Sequence, residues 1–162
     1  DSKDDLIHFF NINYDKCEIL NNIKNTESVA LHIRRGDYVN NSKTNQIHGI
    51  CNLEYYNRAL SFFSDHKYII YIFSDDIEWV RKNIKLTNQH HFISENTESD
   101  FQEFILMKNC KNFIISNSTF SWWAAWLANN HNKKVICPKN WFKDENLNQL
   151  SKSLIPQDWI KF

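Results

Sequence analysis

The sequence predicts an α/β fold, a Rossmann-like parallel sheet with helices on both faces. Two observations carry this expectation. Short β-type apolar runs alternate along the chain with helix-type stretches, and the runs are apolar at consecutive positions, as strands covered on both sides must be. The only glycines are Gly36 and Gly49 and the only prolines Pro138 and Pro156. No flexible linker can therefore be drawn, and the chain reads as one domain over residues 1–162.

Val29-Ala30-Leu31-His32-Ile33 is the first strand run, followed by a helix-type stretch over about 53–64. An apolar run over 68–73 predicts the second strand, and 76–84 a helix that Asp76 can cap. His91-Phe92-Ile93 reads as a short strand, 100–110 as a helix, and 112–115 as a strand. Residues 118–130 predict a helix opened by Ser118, a preferred cap, and apolar nearly all round through Trp122, Trp123 and Trp126. Such a helix belongs against the sheet rather than in a sugar-binding platform. The last strand covers 134–137 and is ended by Pro138.

Composition removes several function classes. With 162 residues, 42% of them hydrophobic, one core can form without disulfide staples; a chain of this length buries roughly 70% of its unfolded surface. Lys and Arg total 19 and so do Asp and Glu, with only four arginines among the cations, so no broad positive field exists for nucleic acid. No apolar run approaches the roughly 20 residues of a membrane span, and Asp1-Ser2-Lys3-Asp4-Asp5 is too acidic to open a signal peptide. Cys17, Cys51, Cys110 and Cys137 form no C-x-x-C pair and are expected as free, mostly buried thiols. Two N-x-[ST] sequons occur, at Asn40-Asn41-Ser42 and Asn117-Ser118-Thr119. A glycan on the second would block the site described next, which favours a compartment without N-glycosylation.

Ligands of such sheets bind at the carboxyl ends of the strands. Three strand ends carry polar clusters that would face one crevice: Arg34-Arg35-Gly36-Asp37-Tyr38, Ser74-Asp75-Asp76 and Ser116-Asn117-Ser118-Thr119. A planar guanidinium suits bidentate capture of phosphate, and Arg34 and Arg35 are half of the arginines. The competing role is a structural salt bridge to Asp37 or Asp75. Ser116 to Phe120 lies where a strand turns into a helix, so free backbone N–H groups would bind an anion or be capped locally. Asp75 and Asp76 could cap the next helix, contact a base or sugar, or hold a metal; neighbouring side chains diverge, so a cap plus one polar ligand contact is favoured. His32 shares a strand face with Arg34 and is expected to share its ligand. Arg35-Gly36-Asp37 also spells an integrin-binding tripeptide, which matches by chance and is set aside.

Taken together, His32-Ile33-Arg34-Arg35-Gly36-Asp37-Tyr38, Phe73-Ser74-Asp75-Asp76-Ile77-Glu78-Trp79 and Ser116-Asn117-Ser118-Thr119-Phe120-Ser121-Trp122-Trp123 closely resemble the α-1,2-fucosyltransferases of glycosyltransferase family 11. His48-Gly49-Ile50-Cys51 before Tyr55-Tyr56, Leu106-Met107 with Cys110, Pro138-Lys139-Asn140-Trp141-Phe142, and Pro156 with Trp159-Ile160 are similar as well. The resemblance implies the nucleotide-binding half of a GT-B-like fold. It also implies inverting transfer of fucose from GDP-β-L-fucose to a terminal galactose of a glycan, without an obligatory metal or other cofactor.

By that likeness Arg34 contacts the β-phosphate, His32 the nucleoside side, Asp75 or Asp76 the guanine, and Ser118, Thr119 and the Phe120 backbone the phosphates. The candidate donor site is therefore His32, Arg34, Arg35, Asp75, Asp76, Asn117, Ser118, Thr119 and Phe120. Arg34 and Asp37 are the catalytic candidates, Asp37 as the one carboxylate within the motifs available for a general base, with a structural role expected for it first. The glycine-rich N-terminal half of the family has no counterpart here, so the chain is expected to be the donor-binding half. A bacterial or viral type of enzyme, cytoplasmic or peripheral at a membrane, fits the composition. A nucleotide-sugar-binding module without catalysis is the rival reading, and a metal-dependent hydrolase using Asp75 and Asp76 a third, which EDTA sensitivity would reveal.

Overall fold

The computed structural model describes residues 18–36, 46–97 and 99–162. Helix α1 (Glu18–Asn25) leads into β1 (Glu27–Ile33). There follow α2 (Leu53–Ser61), β2 (Tyr68–Ser74), α3 (Ile77–Asn83), β3 (His90–Phe92), α4 (Asp100–Lys108) and β4 (Asn112–Ile114). The chain continues through α5 (Thr119–Leu127), β5 (Val135–Cys137), α6 (Glu145–Leu150), a 3-10 turn (Lys152–Leu154) and β6 (Ile160–Lys161). The expected Rossmann-like sheet is present: six strands in the order β3-β2-β1-β4-β5-β6, every pair parallel. Strand order reverses at β1, between β2 and β4, which is where such sheets open a crevice for ligands.

The two-residue alternation of β1 distributes the core. Val29, Leu31 and Ile33 join Ile70, Ile72, Ile114 and Ile136 under Tyr56, Ala59 and Val80 of α2 and α3. Ala30 joins Tyr71, Phe73 and Phe113 under α1, α4 and α5. His32 shares the face of Ala30, so its ring is directed to the α5 side. Each aliphatic side chain removed from water in these two layers contributes about 1.5–3 kcal/mol.

Helix α5 approaches the sheet through Ser121, Ala124 and Ala125, three small buried residues spaced as one helical face. Trp122 and Trp126 are partly buried against the same core, nearly parallel at 5.9 Å, and Trp122 Nε1 donates to the Leu154 carbonyl. Of the three tryptophans only Trp123 is exposed, so the helix is core over most of its surface, as expected.

Boundaries differ from the expected ones for local reasons. The helix expected over 118–130 ends at Leu127, where Lys133 Nζ takes the Trp126 and Ala128 carbonyls. Helix α2 ends at Ser61, whose hydroxyl turns back onto Arg58 O. Strand β6 pairs two residues with Ile136 and Cys137 and is too short to leave a periodic signal.

Cys51, Cys110 and Cys137 are free and buried. Burial pushes Cys51 up to about 11 and Cys137 up to about 12, so both stay protonated and inert. Cys17, the acidic first residues and the Asn40 sequon lie outside the described residues. Among the described residues no helix is long and apolar enough to cross a membrane.

Candidate functional site

At the strand ends, His32 of β1 and Ser116 beyond β4 meet across the switch point. Nδ1 and Oγ are 2.8 Å apart and both side chains are buried. The Phe120 ring lies 5.7 Å from the imidazole, centroid to centroid. Burial first, then the neighbouring Arg34 guanidinium, lowers the His32 pKa to about 3. His32 is therefore a neutral hydrogen-bonding group, not a counter-ion for phosphate.

Beside it, the first and second motifs are knotted together. One oxygen of Asp75 accepts the Arg35 backbone N–H and the other that of Gly36, both at 2.8 Å. The same carboxylate lies 3.2 Å from Arg34 Nε. A Cβ on Gly36 would sit 2.8 Å from Asp75 Oδ2, so a side chain there would push the carboxylate off its amides. Asp76 faces the other way: it caps α3 through the Trp79 N–H at 3.1 Å and pairs with Arg35 Nε at 3.3 Å. Arg35 is laid over the Trp79 ring at 3.8 Å. Ser74 holds this turn, its hydroxyl accepting the Asp76 N–H at 3.0 Å.

Arg34 instead borders a cleft of about 330 Å³ with His32, Ser74, Asp75, Asp100, Glu103, Ser118, Thr119 and Phe120. The N-termini of α4 and α5 both open on it. Helices α2, α3, α4 and α6 are each capped by a side chain, from Asn52, Asp76, Ser99 and Asp144. At α5 the Ser118 side chain makes no such bond, which leaves the first amides of the helix to the cleft. Glu103 was not among the residues singled out from the sequence, because a helix-borne Glu has no local signature. It accepts from Thr97 Oγ1 at 2.9 Å, and burial pushes its carboxyl up, with Asp100 and Asp75 adding to the effect.

Asn117 takes a different place. Its Nδ2 donates to the carbonyls of His48 at 2.8 Å and Trp141 at 3.1 Å, and its Oδ1 accepts the Cys51 thiol at 3.5 Å. It fastens two loops together on the side away from Arg34. The structure thus gathers His32, Arg34, Asp75, Ser118, Thr119 and Phe120 in one cleft and turns Arg35, Asp76 and Asn117 out of it into structural contacts. Asp37 and Tyr38 lie outside the described residues.

A family model described as glycosyl transferase family 11 matches residues 1–162. The chain is 34% identical to an O-antigen biosynthesis glycosyltransferase of Escherichia coli, with 92% of the chain and 53% of the relative covered. It is 39% identical to an α-1,2-colitosyltransferase of the same organism, with 93% and 53% covered. A galactoside 2-α-L-fucosyltransferase of Bos taurus is 33% identical over 62% of the chain and 28% of the relative. The chain therefore spans about half the length of its bacterial relatives. No solved structure matches it significantly.

Proposed function

Because the chain belongs to glycosyltransferase family 11, we propose that it is the donor-binding domain of a galactoside α-1,2-fucosyltransferase. The donor is GDP-β-L-fucose, the acceptor a galactose-terminated glycan, and the transfer inverts the anomeric carbon. The observation that carries this reading is the facing of Arg34 and the uncapped α5 N-terminus across one cleft. Both would meet the diphosphate, and both complement the charge that grows on it as the glycosidic bond breaks.

In the transfer, the acceptor hydroxyl oxygen bonds to the anomeric carbon as the bond from that carbon to the β-phosphate oxygen breaks. The electron pair leaves with GDP, and the hydroxyl proton passes to a base, for which Asp37 is the candidate. Neutral His32 hydrogen-bonds the nucleoside side without repelling Arg34's cation. For the guanine, Glu103 is one of three carboxylates on the cleft, with Asp75 and Asp100, and suits the N1–H and exocyclic amine of that base. Asp75 and Asp76 are occupied by Arg35, Gly36 and Trp79 amides. No metal is required in this scheme, since a guanidinium and helix-end amides supply the positive field. A GT-B-like arrangement, with this domain as the nucleotide half, and a bacterial or viral setting, cytoplasmic or peripheral at a membrane, go with the reading; of these, the Escherichia coli relatives support the bacterial setting. The name of one relative gives colitose as the transferred sugar, so transfer of fucose and of colitose should be compared directly.

The test is calorimetric titration with GDP, with Mg²⁺ and with EDTA, beside Arg34→Ala. Metal-independent binding that weakens roughly ten- to a hundredfold in the variant is expected from loss of a charge-assisted contact. Absence of GDP binding by the folded chain overturns the reading. The half-length span keeps one rival in view, a nucleotide-sugar-binding module without catalysis. It predicts the same titration and no transfer by the whole protein.

A further inference from the structure

A neutral imidazole holds one proton on either of its two nitrogens, and the nitrogen that His32 uses decides what it can do in the cleft. We propose that Ser116 is a positioning residue: its hydroxyl donates to His32 Nδ1 and so fixes the ring with its proton on Nε2, where it is offered to an acceptor atom of the nucleotide. The inference rests on the transferase reading above for the identity of the ligand, while the tautomer stands without it.

The fold seals both partners together. Ser116 has no exposed surface and His32 is 5% exposed, and Oγ and Nδ1 lie 2.8 Å apart although 84 residues separate the two in sequence. Strands β1 and β4 bring them there, pairing in parallel with Leu31 beside Ile114. Phe120 packs against the imidazole, with ring planes tilted by 35°.

The protons of this pair can be accounted for one by one. Among the described residues Ser116 Oγ has no hydrogen-bond partner besides His32 Nδ1. A ring proton on Nδ1 would occupy the acceptor side of the hydroxyl and leave the hydroxyl proton buried with nothing to receive it, an arrangement folded proteins avoid. With Nδ1 unprotonated the hydroxyl donates, and both groups are satisfied. Protonation of both nitrogens would strand the hydroxyl proton again, and burial beside Arg34 holds the ring neutral down to about pH 3. The ring proton therefore sits on Nε2.

Nε2 has no protein partner among the described residues and is not enclosed by the fold. His32 borders the cleft shared by Arg34, Ser118 and Thr119, so this N–H is left for a ligand. Its complement is an atom with a free lone pair. Phosphate and ribose oxygens and the guanine O6 and N7 provide one, whereas the guanine N1–H and amine do not. The same proton also limits the chemistry. A nitrogen that already holds it cannot take another from an acceptor hydroxyl, so His32 is a donor to the substrate and not the base of the transfer.

The experiment is long-range ¹H–¹⁵N NMR of the histidine-labelled chain, read from neutral pH to about pH 5, on wild type and Ser116→Ala. His32→Gln assigns the signals, and GDP is titrated into wild type and Ser116→Ala. Wild type is expected to show a protonated Nε2 and an unprotonated Nδ1 throughout. In Ser116→Ala the Nδ1 resonance is expected to move to that of a nitrogen accepting no hydrogen bond, and GDP affinity to fall about threefold or more. A proton on Nδ1 in wild type overturns the proposal, and that arm needs no variant to fold. An unmoved Nδ1 resonance or undiminished GDP affinity in folded Ser116→Ala overturns the positioning role. The Nε2–H form in a chain that ignores GDP upholds the tautomer and overturns the nucleotide reading instead.

Discussion

His32 Nδ1 and Ser116 Oγ share a buried hydrogen bond of 2.8 Å that joins the end of β1 to the segment leaving β4. It spans the point where strand order reverses, so it holds the floor of the crevice closed.

Because the His32 pKa falls from 6.5 to about 3, the unfolded chain binds a proton between those values that the folded chain refuses. Stability is full above the unfolded pKa and declines as the pH falls toward the folded one. Linkage sets the slope near 1.4 kcal/mol per unit, so this residue removes about 2 kcal/mol between pH 7 and pH 5. Urea unfolding of wild type and His32→Gln across that range is the check: the variant loses that share of the slope, and parallel slopes would refute a buried neutral imidazole.

Arg34 and Arg35 are adjacent but differ in consequence. Arg34→Ala weakens GDP binding by about tenfold or more. Arg35→Ala removes the Trp79 stack and the Asp76 pair, which lowers stability by about 1–2 kcal/mol and changes GDP affinity by less than about threefold. Thermal unfolding and calorimetry on the two variants separate these outcomes.

Glu103→Gln leaves an amide where a carboxylate would meet the guanine donors. GDP affinity is expected to fall about tenfold, with ADP affinity little changed, whereas Asp76→Asn affects neither beyond about threefold. Equal loss for GDP and ADP would remove Glu103 from base recognition.

Gly36→Ala places a methyl group 2.8 Å from the Asp75 carboxylate in the present backbone. The Arg35 and Gly36 amides lose their acceptor geometry and Arg34 loses its anchor, so GDP affinity falls about tenfold or more. Asp75→Asn does the same more weakly, because its amide nitrogen cannot accept one of the two N–H groups. Full GDP affinity in both variants would sink the idea that Asp75 positions Arg34.

Asn117→Ala strips the His48 and Trp141 carbonyls of a buried donor and is expected to cost about 2–3 kcal/mol. Asn117→Asp is expected to cost at least as much, since a carboxylate cannot donate to carbonyls and repels them. Denaturant midpoints of the two variants, read at constant slope, give the answer.

Much of this architecture was legible in the chain itself. The runs Val29 to Ile33 and Tyr68 to Phe73, the Trp-rich helix and the polar strand ends follow from local periodicity and from the rule that ligands sit at carboxyl ends. Local signals fail where a partner lies far along the chain. Arg34 and Arg35 carry the same guanidinium, and only the packing of β1 beside β2 sends one to the cleft and the other to Trp79. The Asp75 carboxylate borders the cleft and also accepts amides 39 and 40 positions away, a partnership no local pattern announces. Glu103 enters the site because α4 starts beside α5, which no pattern within α4 announces. Thus the sequence by itself determined the first five strands, the four helices between them, their layers and the polar strand ends, but not α1, α6 or β6. The tertiary structure decided which polar side chain is spent on the protein and which is left for a ligand, because hydrogen bonds and ion pairs are saturable and are satisfied first by whatever the fold brings within about 3 Å.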